Sequence, residues 1–275
     1  MTISTLRSKP ASQKRVSAAT EARLISVWGP LGSTGKSTLA LNLAYELALL
    51  GQKVILLDLD TYAPALNQLL PIEATSAGLA GAARLIRQGR FSTEELERLS
   101  FKVKNGRHHF HFLPGLPNSS RWPEITPETV QQLVGTCSQN FDIILADVAS
   151  SLEDQITSTE SPTARNCVTR TAIRLSNQVI TILSTTQLST ARYLNAFSQL
   201  DELQKTRILV LNGHRPSQQI VSAIRTLTRE NVLAHIPADE PAMQLAESQK
   251  LPLSLARRKS PAGNAIAALA HKLLA

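Results

Sequence analysis

The stretch GPLGSTGKST, residues 29–38, decides the fold of this chain. Residues 35–37 (GKS) match the end of the Walker A pattern G-x-x-x-x-G-K-[ST], whereas the first glycine of that pattern falls on Pro30. Gly32 and Gly35 have no side chain, so the backbone can approach an anion closely and point successive N–H groups toward it. A helix that begins just after this loop directs its positive end at the same anion. The stretch therefore predicts a phosphate-binding loop.

The polar residues of this loop have predicted roles toward a nucleoside triphosphate and Mg²⁺. We expect Lys36 to reach the β- and γ-phosphates and the Ser37 hydroxyl to ligate Mg²⁺. Thr38 is expected to cap the helix and to contact the α-phosphate. The predicted nucleotide-binding residues of the loop are Gly32, Ser33, Thr34, Gly35, Lys36, Ser37 and Thr38.

The sequence on either side of the loop predicts a βαβ unit. Residues 24–28 form a short apolar run typical of a strand, residues 37–50 are rich in helix formers, and residues 54–57 form a second apolar run. A crossover of this kind makes the two strands parallel. The pattern recurs and predicts an α/β fold with a mostly parallel central sheet flanked by helices, as in P-loop NTPases. Further strands are predicted at 141–147, 178–183, 207–211 and 232–236, with a seventh candidate at 110–113, and further helices at 78–90, 94–99, 191–203, 218–229 and 262–275.

Three aspartates lie at the ends of predicted strands. Asp147 closes the run FDIILAD, where a carboxylate that holds Mg²⁺ is expected. Asp58 and Asp60 end the second predicted strand, and the carboxyl ends of parallel strands line the ligand crevice. We therefore expect Asp60 to position the attacking water beside Lys36, while Ser37, Asp58 and Asp147 serve the metal ion. An ordinary turn residue is the alternative for each aspartate.

Composition favours a globular chain with a separate N-terminal tail. The 275 residues are 43% hydrophobic and 4% aromatic, which suits helices packed on buried parallel strands. Residues 1–22 are basic and polar and are expected to be a disordered tail, followed by a single P-loop ATPase domain over residues 23–275. No secretory signal or membrane-spanning run is visible. Cys137 and Cys167 lie in no Cys/His cluster, which favours reduced thiols and a cytoplasmic location.

With these residues identified, the chain resembles the MinD/ParA family of P-loop ATPases, which have a deviant Walker A motif and belong to the SIMIBI class. The resemblance lies in GSTGKSTLALNLAYELALLGQKVILLDLDTYAP, FDIILADVASS, ILVLNGHRP and AHIPADEP, which follow one another in the family's order. Other motifs, such as GLPNSSRWPEI, resemble MinD-like proteins of actinobacteria. The resemblance implies an ATP-binding, Mg²⁺-dependent ATPase that acts as a nucleotide switch in chromosome partitioning, septum placement or the positioning of another cargo.

The resemblance also implies residues that contact the base of ATP. Asn212 matches the asparagine that reads the adenine edge, and Pro237 and Asp239 lie where a loop packs on the base. On its chemistry alone, Asn212 is equally compatible with a turn. For Lys36, Ser37, Asp60 and Asp147 the resemblance implies the same roles as the pattern itself.

One position departs from the family pattern. The family has a lysine five residues before the P-loop lysine, and this chain has Leu31 there. In the family that lysine crosses a dimer interface to the partner's phosphates, and a cation of this kind can contribute about 10³-fold or more to the rate. Hydrolysis is therefore expected to be slow, to depend on another cation such as Arg121 or Arg165, or to be absent.

The charge distribution bears on partners. The net charge is +8, and residues 161–275 hold 14 Lys and Arg against 6 Asp and Glu, so the second half carries the excess. Such a surface predicts non-specific DNA binding, with a solvated basic surface as the alternative. Residues 262–275 have an apolar face but few basic residues, which favours a helix packed on the sheet over membrane contact. The resemblance adds a homodimer, and a protein partner is left unidentified.

Three functional classes are open from the sequence. The first is the MinD/ParA-like ATPase. The second is a nucleotide-binding scaffold or regulator with little or no hydrolysis, for example in pilus or septum assembly, which Pro30 and Leu31 favour. The third is a metabolic P-loop enzyme, such as a small-molecule kinase or amidoligase, which would need a polar substrate pocket and an arginine-rich lid that the sequence does not show.

Overall fold

The computed structural model describes residues 22–72, 77–153 and 164–275. The tail predicted over residues 1–22 lies outside the described residues, except for residue 22. The strands are β1 (Arg23–Trp28), β2 (Val54–Leu59), β3 (Phe101–Asn105), β4 (His108–Leu113), β5 (Ile143–Val148), β6 (Gln178–Ser184), β7 (Thr206–Gly213) and β8 (Val232–Pro237). The helices are α1 (Lys36–Leu49), α2 (Leu66–Leu69), α3 (Gly78–Arg87), α4 (Thr93–Leu99), α5 (Pro127–Ser138), α6 (Cys167–Leu175), α7 (Gln187–Asp201), α8 (Gln218–Thr228), α9 (Glu240–Gln249), α10 (Leu253–Ala256) and α11 (Pro261–Leu274), with a 3₁₀ helix at Ser119–Glu124.

The strands of the described chain form one sheet in the order β3-β4-β2-β5-β1-β6-β7-β8. Neighbouring strands are parallel except β3 and β4, which form an antiparallel hairpin. Parallel strands need crossover connections, and the helices in those connections cover both faces of the sheet. The predicted α/β fold with a mostly parallel sheet, that of P-loop NTPases, is confirmed.

The central strands are buried on both faces, because successive side chains of a strand point to opposite sides. In β1, Leu24 and Trp28 belong to one apolar layer, whereas Ile25 and Val27 belong to the other. The first layer lies between the sheet and helices α3 to α8, and the second lies between the sheet and α1, α2 and α9 to α11. These two layers fix where each strand ends.

Helix α1 follows the glycine-rich loop and packs on β1, β2, β4 and β5. The residues from Leu39 to Ala48 are buried, as predicted from apolar residues on most faces of the helix. Asn42 and Glu46 are the polar residues among them. The Asn42 side chain accepts the N–H of Ser254 at 3.2 Å and so ties α10 to α1. The start of α1, next to the loop, is therefore held rigidly against the sheet.

Helix α11 packs on α1 and β8. It buries Ile266, Leu269 and Leu273, so the prediction of a packed helix at the end of the chain is confirmed. Among the described residues, no helix is both long enough and apolar enough to cross a membrane.

The ends of two strands differ from the sequence prediction. Strand β2 extends to Leu59 and β5 to Val148, so Asp58 and Asp147 lie within their strands, opposite each other in the ladder. The prediction that these two aspartates end their strands is wrong, because Leu59 and Val148 are buried in the first apolar layer and continue the pairing. Asp60 does follow β2 directly.

The β3–β4 hairpin carries the histidines of the first half of the chain. The sequence places His108, His109 and His111 near a predicted strand, which favours packed or exposed histidines over a metal site. His111 is buried against the edge of the Phe141 ring, with 5.0 Å between ring centroids. Burial, followed by the charges of Lys102 and His109, lowers the pKa of His111 to about 4. The described residues contain no group of three or more histidine, cysteine, aspartate or glutamate side chains arranged to hold a metal ion.

We predict that His111 makes the folded state less stable in mild acid. Its pKa is below the value of about 6.5 for an unfolded chain, so between pH 6.5 and 4 the unfolded state binds more protons. The free energy of unfolding should therefore fall by about 1–3 kcal/mol, because of this residue, as the pH is lowered from 6.5 to 4. Urea unfolding of wild type, His111→Gln and, as a control, the exposed His214→Gln at pH 7 and pH 4.5 measures this. The same pH-dependent loss in His111→Gln as in wild type would contradict it.

Candidate nucleotide-binding site

The loop between β1 and α1 is shaped by two glycines. Gly32 and Gly35 have φ angles of 111° and 88°, a left-handed conformation that costs free energy for other residues. Space is also restricted, because a Cβ at Gly35 would lie 2.5 Å from Asn212 Nδ2. Helix α1 begins at Lys36, with Gly35 as its N-cap and no side-chain hydrogen bond to its first N–H groups. These N–H groups are available to an anion.

Two threonines of the loop region differ in their roles. Thr34 is buried, and its hydroxyl oxygen has no hydrogen-bond partner among the described residues. A buried hydroxyl without a partner indicates a place where a ligand oxygen fits. Thr38 is the third residue of α1, so the prediction that it caps the helix is wrong, because the helix begins two residues earlier.

Lys36 is the cation at the centre of the site. Its Nζ lies 3.2 Å from Asp60 Oδ2, and it donates a hydrogen bond to the Val148 carbonyl at 2.8 Å. Both side chains of the ion pair are nearly buried. The lysine is thus oriented into the cavity that the loop encloses, where a phosphate would replace the carboxylate as its partner.

Ser37 connects the loop to strand β5. Its hydroxyl donates to Asp147 Oδ2 at 2.5 Å. Asp147 is fully buried, and its other oxygen has no hydrogen-bond partner among the described residues. Burial raises the pKa of Asp147 to about 6, although Lys36 and the Ser37 hydroxyl act in the opposite direction.

Asp58 lies directly across the ladder from Asp147. Burial, and then repulsion by Asp147 and Asp60, raise the pKa of Asp58 well above its usual value. Its oxygens accept the N–H groups of Asp60 and Leu66 at 3.2 and 3.4 Å. A Cβ at Gly115 would lie 2.8 Å from the Asp58 carboxyl carbon, so the glycine makes room for this carboxylate. Seen from the glycine loop, which follows β1, Asp58 on β2 therefore lies on the far side of Asp147 on β5. Neither residue lines the cavity surface.

The segment after β2 holds Asp60 in a fixed orientation. Asp60 Oδ1 accepts the N–H groups of Tyr62 and Ala63 at 2.9 and 3.0 Å, while Oδ2 faces Lys36. Arg165, one of the cations proposed from sequence, donates to the Thr61 hydroxyl and carbonyl at 2.8 and 2.9 Å. Its guanidinium is 3.7 Å from the centre of the Tyr62 ring. Arg165 thus braces the Asp60 segment.

Both tryptophans lie beside this site. Trp28 ends β1 and donates from its indole N–H to the Ser150 carbonyl at 3.1 Å. Ser150 lines the cavity beside the glycine loop, which we call the phosphate cavity. The other ring, of Trp122, is 4.7 Å from the guanidinium of Arg165, on which it stacks. The first ring borders the glycine loop, and the second contacts the brace of the Asp60 segment.

A second cavity, of about 260 Å³, adjoins the phosphate cavity. Asn212, Pro237 and Asp239 line it together with apolar side chains such as Ile182 and Ile266. The size and apolar lining of this cavity suit a flat base. The structure therefore brings together the three residues that the resemblance assigns to the base.

Two of these three residues also hold the protein together. Asn212 Nδ2 donates to the Thr34 carbonyl at 3.0 Å and so anchors the phosphate loop, which leaves Oδ1 as the acceptor for a ligand. Asp239 caps α9 through the N–H of Ala242 at 3.4 Å and accepts the N–H of Ala262 at 3.3 Å. Both oxygens of the Asp239 carboxylate are therefore engaged within the protein, where they fix the position of the loop before α9.

The phosphate cavity contains the predicted loop residues and Asp60. It has a volume of about 450 Å³, and it shares Gly35 and Thr38 with the base cavity. A nucleotide can therefore lie with its base beside Asn212 and its phosphates beside Lys36. The predicted residues that line the phosphate cavity are Gly32, Ser33, Thr34, Gly35, Lys36, Ser37, Thr38 and Asp60.

Leu31 and the arginines proposed to replace the family lysine lie in different places. The Leu31 side chain is 65% exposed at the mouth of the loop. Arg121 forms a two-fold hydrogen-bonded ion pair with Glu124, at 2.6 and 2.8 Å, on the surface. A third arginine, Arg192 of α7, donates to the Leu31 carbonyl at 2.8 Å. No sequence pattern indicates Arg192, because its proximity to the loop depends on how α7 packs.

The oxygen ligands of this site fit Mg²⁺. A hard cation of this kind takes carboxylate and hydroxyl oxygens, and Asp147 Oδ1 is a buried oxygen without a partner among the described residues. Three carboxylates near one lysine leave an excess of negative charge that a divalent ion would offset, which agrees with the raised pKa values of Asp58 and Asp147. Ser37 and Asp147 are the residues that would hold the ion, with Asp58 behind them.

Fold, glycine loop and buried aspartates together define a P-loop nucleotide-binding protein. Residues 25–253 match the family described as the CobQ/CobB/MinD/ParA nucleotide binding domain, and the chain belongs to that family. The resemblance to MinD/ParA ATPases found in the sequence motifs is thereby confirmed.

Solved structures share this fold at low sequence identity. A ParA family ATPase from Chlorobium tepidum has a TM-score of 0.78 and 19% identity, covering 92% of this chain and 99% of that chain. The septum site-determining protein MinD of Pyrococcus horikoshii, complexed with Mg-ADP, has a TM-score of 0.71 and 19% identity, covering 92% and 96%. MinD in the MinC:MinD complex of Aquifex aeolicus has a TM-score of 0.66 and 21% identity, again covering 92% and 96%. A comparison with curated proteins finds no significant match.

We predict that Asp58→Asn stabilises the protein in the absence of Mg²⁺ and nucleotide. The pKa of Asp58 in the folded state is above its value in the unfolded chain. Between these two pKa values the folded state binds more protons, so the free energy of unfolding of wild type falls as the pH rises through that range. Asparagine has no such loss, and the free energy of unfolding at pH 7.5 should increase by about 1–2 kcal/mol.

Urea unfolding in EDTA at pH 5 and pH 7.5 measures the change, and the gain should be larger at pH 7.5. Asp201→Asn is the control, because the Asp201 carboxylate is largely exposed and its ion pair contributes about 0–1 kcal/mol. A less stable Asp58→Asn protein at pH 7.5 would show that the buried carboxylate is not destabilising.

Proposed function

We propose that this chain binds Mg-ATP and hydrolyses it, and that the nucleotide acts as a switch in the positioning of a large cargo. The observation that carries the proposal is the convergence of Lys36, Asp60, Ser37 and Asp147 within hydrogen-bonding distance around the glycine loop. Asp60 and Asp147 are distant in sequence from Lys36 and Ser37. Lys36, Ser37 and Asp60 line the phosphate cavity, and the buried Asp147 accepts the Ser37 hydroxyl. The proposed domain is residues 23–275.

The base cavity supports adenine. Asn212 Nδ2 donates a hydrogen bond to the Thr34 carbonyl, so Oδ1 is the side-chain atom left to contact a ligand. A carbonyl oxygen accepts a hydrogen bond from the 6-amino group of adenine, whereas it meets an acceptor, the 6-oxo group, in guanine. The chemistry of Asn212 therefore favours ATP over GTP.

The phosphate cavity supports hydrolysis through this chain's own side chains. Lys36 would transfer its N–H donors from Asp60 to the β- and γ-phosphates. Asp60 Oδ2 then becomes free to orient a water molecule, while Oδ1 stays fixed by the N–H groups of Tyr62 and Ala63. The water oxygen bonds to the γ-phosphorus, the bond to the β–γ bridging oxygen breaks, and ADP and phosphate leave with the proton released to solvent. A bound Mg²⁺ would neutralise charge on the phosphate oxygens.

The surface of the second half supports a polyanionic partner for the switch. Arg215, Arg225 and Arg229 are exposed, as non-specific DNA binding requires. Arg207 does not contribute to this surface, because it pairs with Asp201 at 2.9 Å and with Glu230. DNA is the proposed partner surface, within a cytoplasmic homodimer, and the fold neighbour in the MinC:MinD complex suggests a protein partner as well.

A second candidate is a nucleotide-binding scaffold or regulator with little or no hydrolysis. The specific observation in its favour is Leu31, an exposed apolar side chain at the position of the family lysine. Such a protein would use the same cavity to hold ATP and change its partners without turnover. The two candidates differ in the rate of hydrolysis and share the binding site.

We predict that Lys36→Ala lowers Mg-ATP affinity by about 100-fold or more, because the variant loses a nearly buried cation aimed at the phosphates.

Asp60→Asn should keep the affinity for Mg-ATP within a few-fold of wild type and lower the rate of hydrolysis by about 10²-fold or more. Isothermal titration and phosphate release measure both, with DNA, with anionic vesicles and with neither. The exposed Lys53→Ala is the control.

Each outcome of these measurements has a distinct meaning. Wild-type protein that binds neither Mg-ATP nor Mg-GTP overturns the proposed function. Binding without hydrolysis in every condition supports the scaffold. Hydrolysis that survives in Asp60→Asn would assign the water to another residue.

We predict that Asn212→Ala lowers the ratio of ATP to GTP affinity by about 3–10-fold, since one hydrogen bond to the base is lost. The loss of the Asn212 bond to the Thr34 carbonyl affects both nucleotides equally, so the ratio isolates the contact with the base. Competitive displacement of a fluorescent nucleotide measures it. An unchanged ratio would remove adenine recognition from Asn212.

A further inference from the structure

Arg192 of helix α7 contacts the phosphate loop. Its Nη1 donates to the Leu31 carbonyl at 2.8 Å. Gly32 provides the space for this contact, because a Cβ there would lie 2.9 Å from the same nitrogen. The guanidinium is therefore docked beside the loop residue at which this chain lacks a lysine.

The docked guanidinium has unused donors. A guanidinium has five N–H donors in a planar fork, and within the part of the chain that the structure describes Arg192 makes one hydrogen bond and no ion pair. Its side chain is exposed at the mouth of the loop. Such a fork can retain a neutral carbonyl on one N–H and pair with a phosphate through the others.

The position along the cavity points to the outermost phosphate. The base cavity and the phosphate cavity share Gly35 and Thr38, so a nucleotide runs from Asn212 past the start of α1. Leu31 and Asp60 line the phosphate cavity and are absent from the lining of the base cavity. Leu31, whose carbonyl accepts the Arg192 guanidinium, therefore lies on the phosphate side of the nucleotide site, away from the base cavity.

The two other arginines are already engaged. Arg121 is paired with Glu124 through two hydrogen bonds. Arg165 is held by Thr61 and lies against an aromatic ring on each side. Of these three arginines, Arg192 is the one that both contacts the phosphate loop and keeps donors for a ligand.

We propose that Arg192 of the same chain binds the outermost phosphate of ATP and supplies, from within the subunit, the cation that Leu31 does not. This inference rests on the proposed function, because it assumes a triphosphate in the cavity. It implies that Arg192 distinguishes ATP from ADP. It also implies that the first contact of the γ-phosphate does not depend on a second subunit.

The test compares Arg192→Ala and Arg192→Lys with wild type. Affinities for Mg-ADP and for a non-hydrolysable Mg-ATP analogue are measured by isothermal titration, and phosphate release with ATP is measured separately. Arg192→Ala should lower the affinity for the ATP analogue by about tenfold relative to the affinity for ADP, and lower the rate of hydrolysis by about 10²-fold or more. Arg192→Lys keeps the charge but not the planar fork of donors. Its affinity for the ATP analogue and its hydrolysis rate should lie between those of wild type and Arg192→Ala. Arg84→Ala, an exposed arginine on α3, is the control with the same change in net charge.

Two results would overturn the inference while leaving the proposed function intact. Equal weakening of ADP and the ATP analogue in Arg192→Ala would mean that the arginine only anchors the loop. Wild-type behaviour of that variant would mean that it has no role in binding. If wild-type protein binds neither nucleotide, the proposed function itself fails, and the inference fails with it.

Discussion

The buried contacts of Lys36 and Ser37 with the carboxylates of β5 and of the segment after β2 are the constraint on which the site depends. Lys36 pairs with Asp60 and with a carbonyl of β5, and Ser37 pairs with Asp147. Asp58 lies directly behind, where burial and its acidic neighbours raise its pKa. Carboxylates that are this close in a low-dielectric interior repel one another, and one lysine offsets only part of that repulsion. The arrangement is therefore suited to gaining a cation together with a polyanion.

Strand order makes this arrangement possible. The strand that leads into the loop, β1, is adjacent to β5, and β5 is adjacent to β2, so the loop, Asp147 and Asp58 lie side by side. Two apolar layers fix these strands from opposite faces, because the alternating side chains of each strand belong to different layers. The free energy that positions the charged groups comes from apolar burial elsewhere in the sheet.

Much of this could be predicted from the sequence, because strong local signals carry it. The glycine loop, the apolar strands and helix α1 are read from consecutive residues, and the family match agrees with them. Three features could not be predicted, since they depend on contacts between distant segments. Asp58 and Asp147 lie inside their strands because of sheet pairing, β3 is a strand because β4 pairs with it, and Arg192 reaches the loop because of where α7 packs. Asn212 needed the family resemblance, since an asparagine after a strand is usually only a turn residue.

The placement of the tryptophans has a practical consequence. The chain has two of them. Trp28 donates to Ser150, which lines the phosphate cavity, and Trp122 stacks on Arg165, which in turn stacks on the cavity residue Tyr62. One indole is buried in the core and the other is partly solvated, so the two emit from different surroundings. The protein thus contains intrinsic fluorophores at the loop and at the brace of the Asp60 segment. Occupancy of the cavity can be followed in unlabelled material, and replacing either indole by phenylalanine separates the two signals.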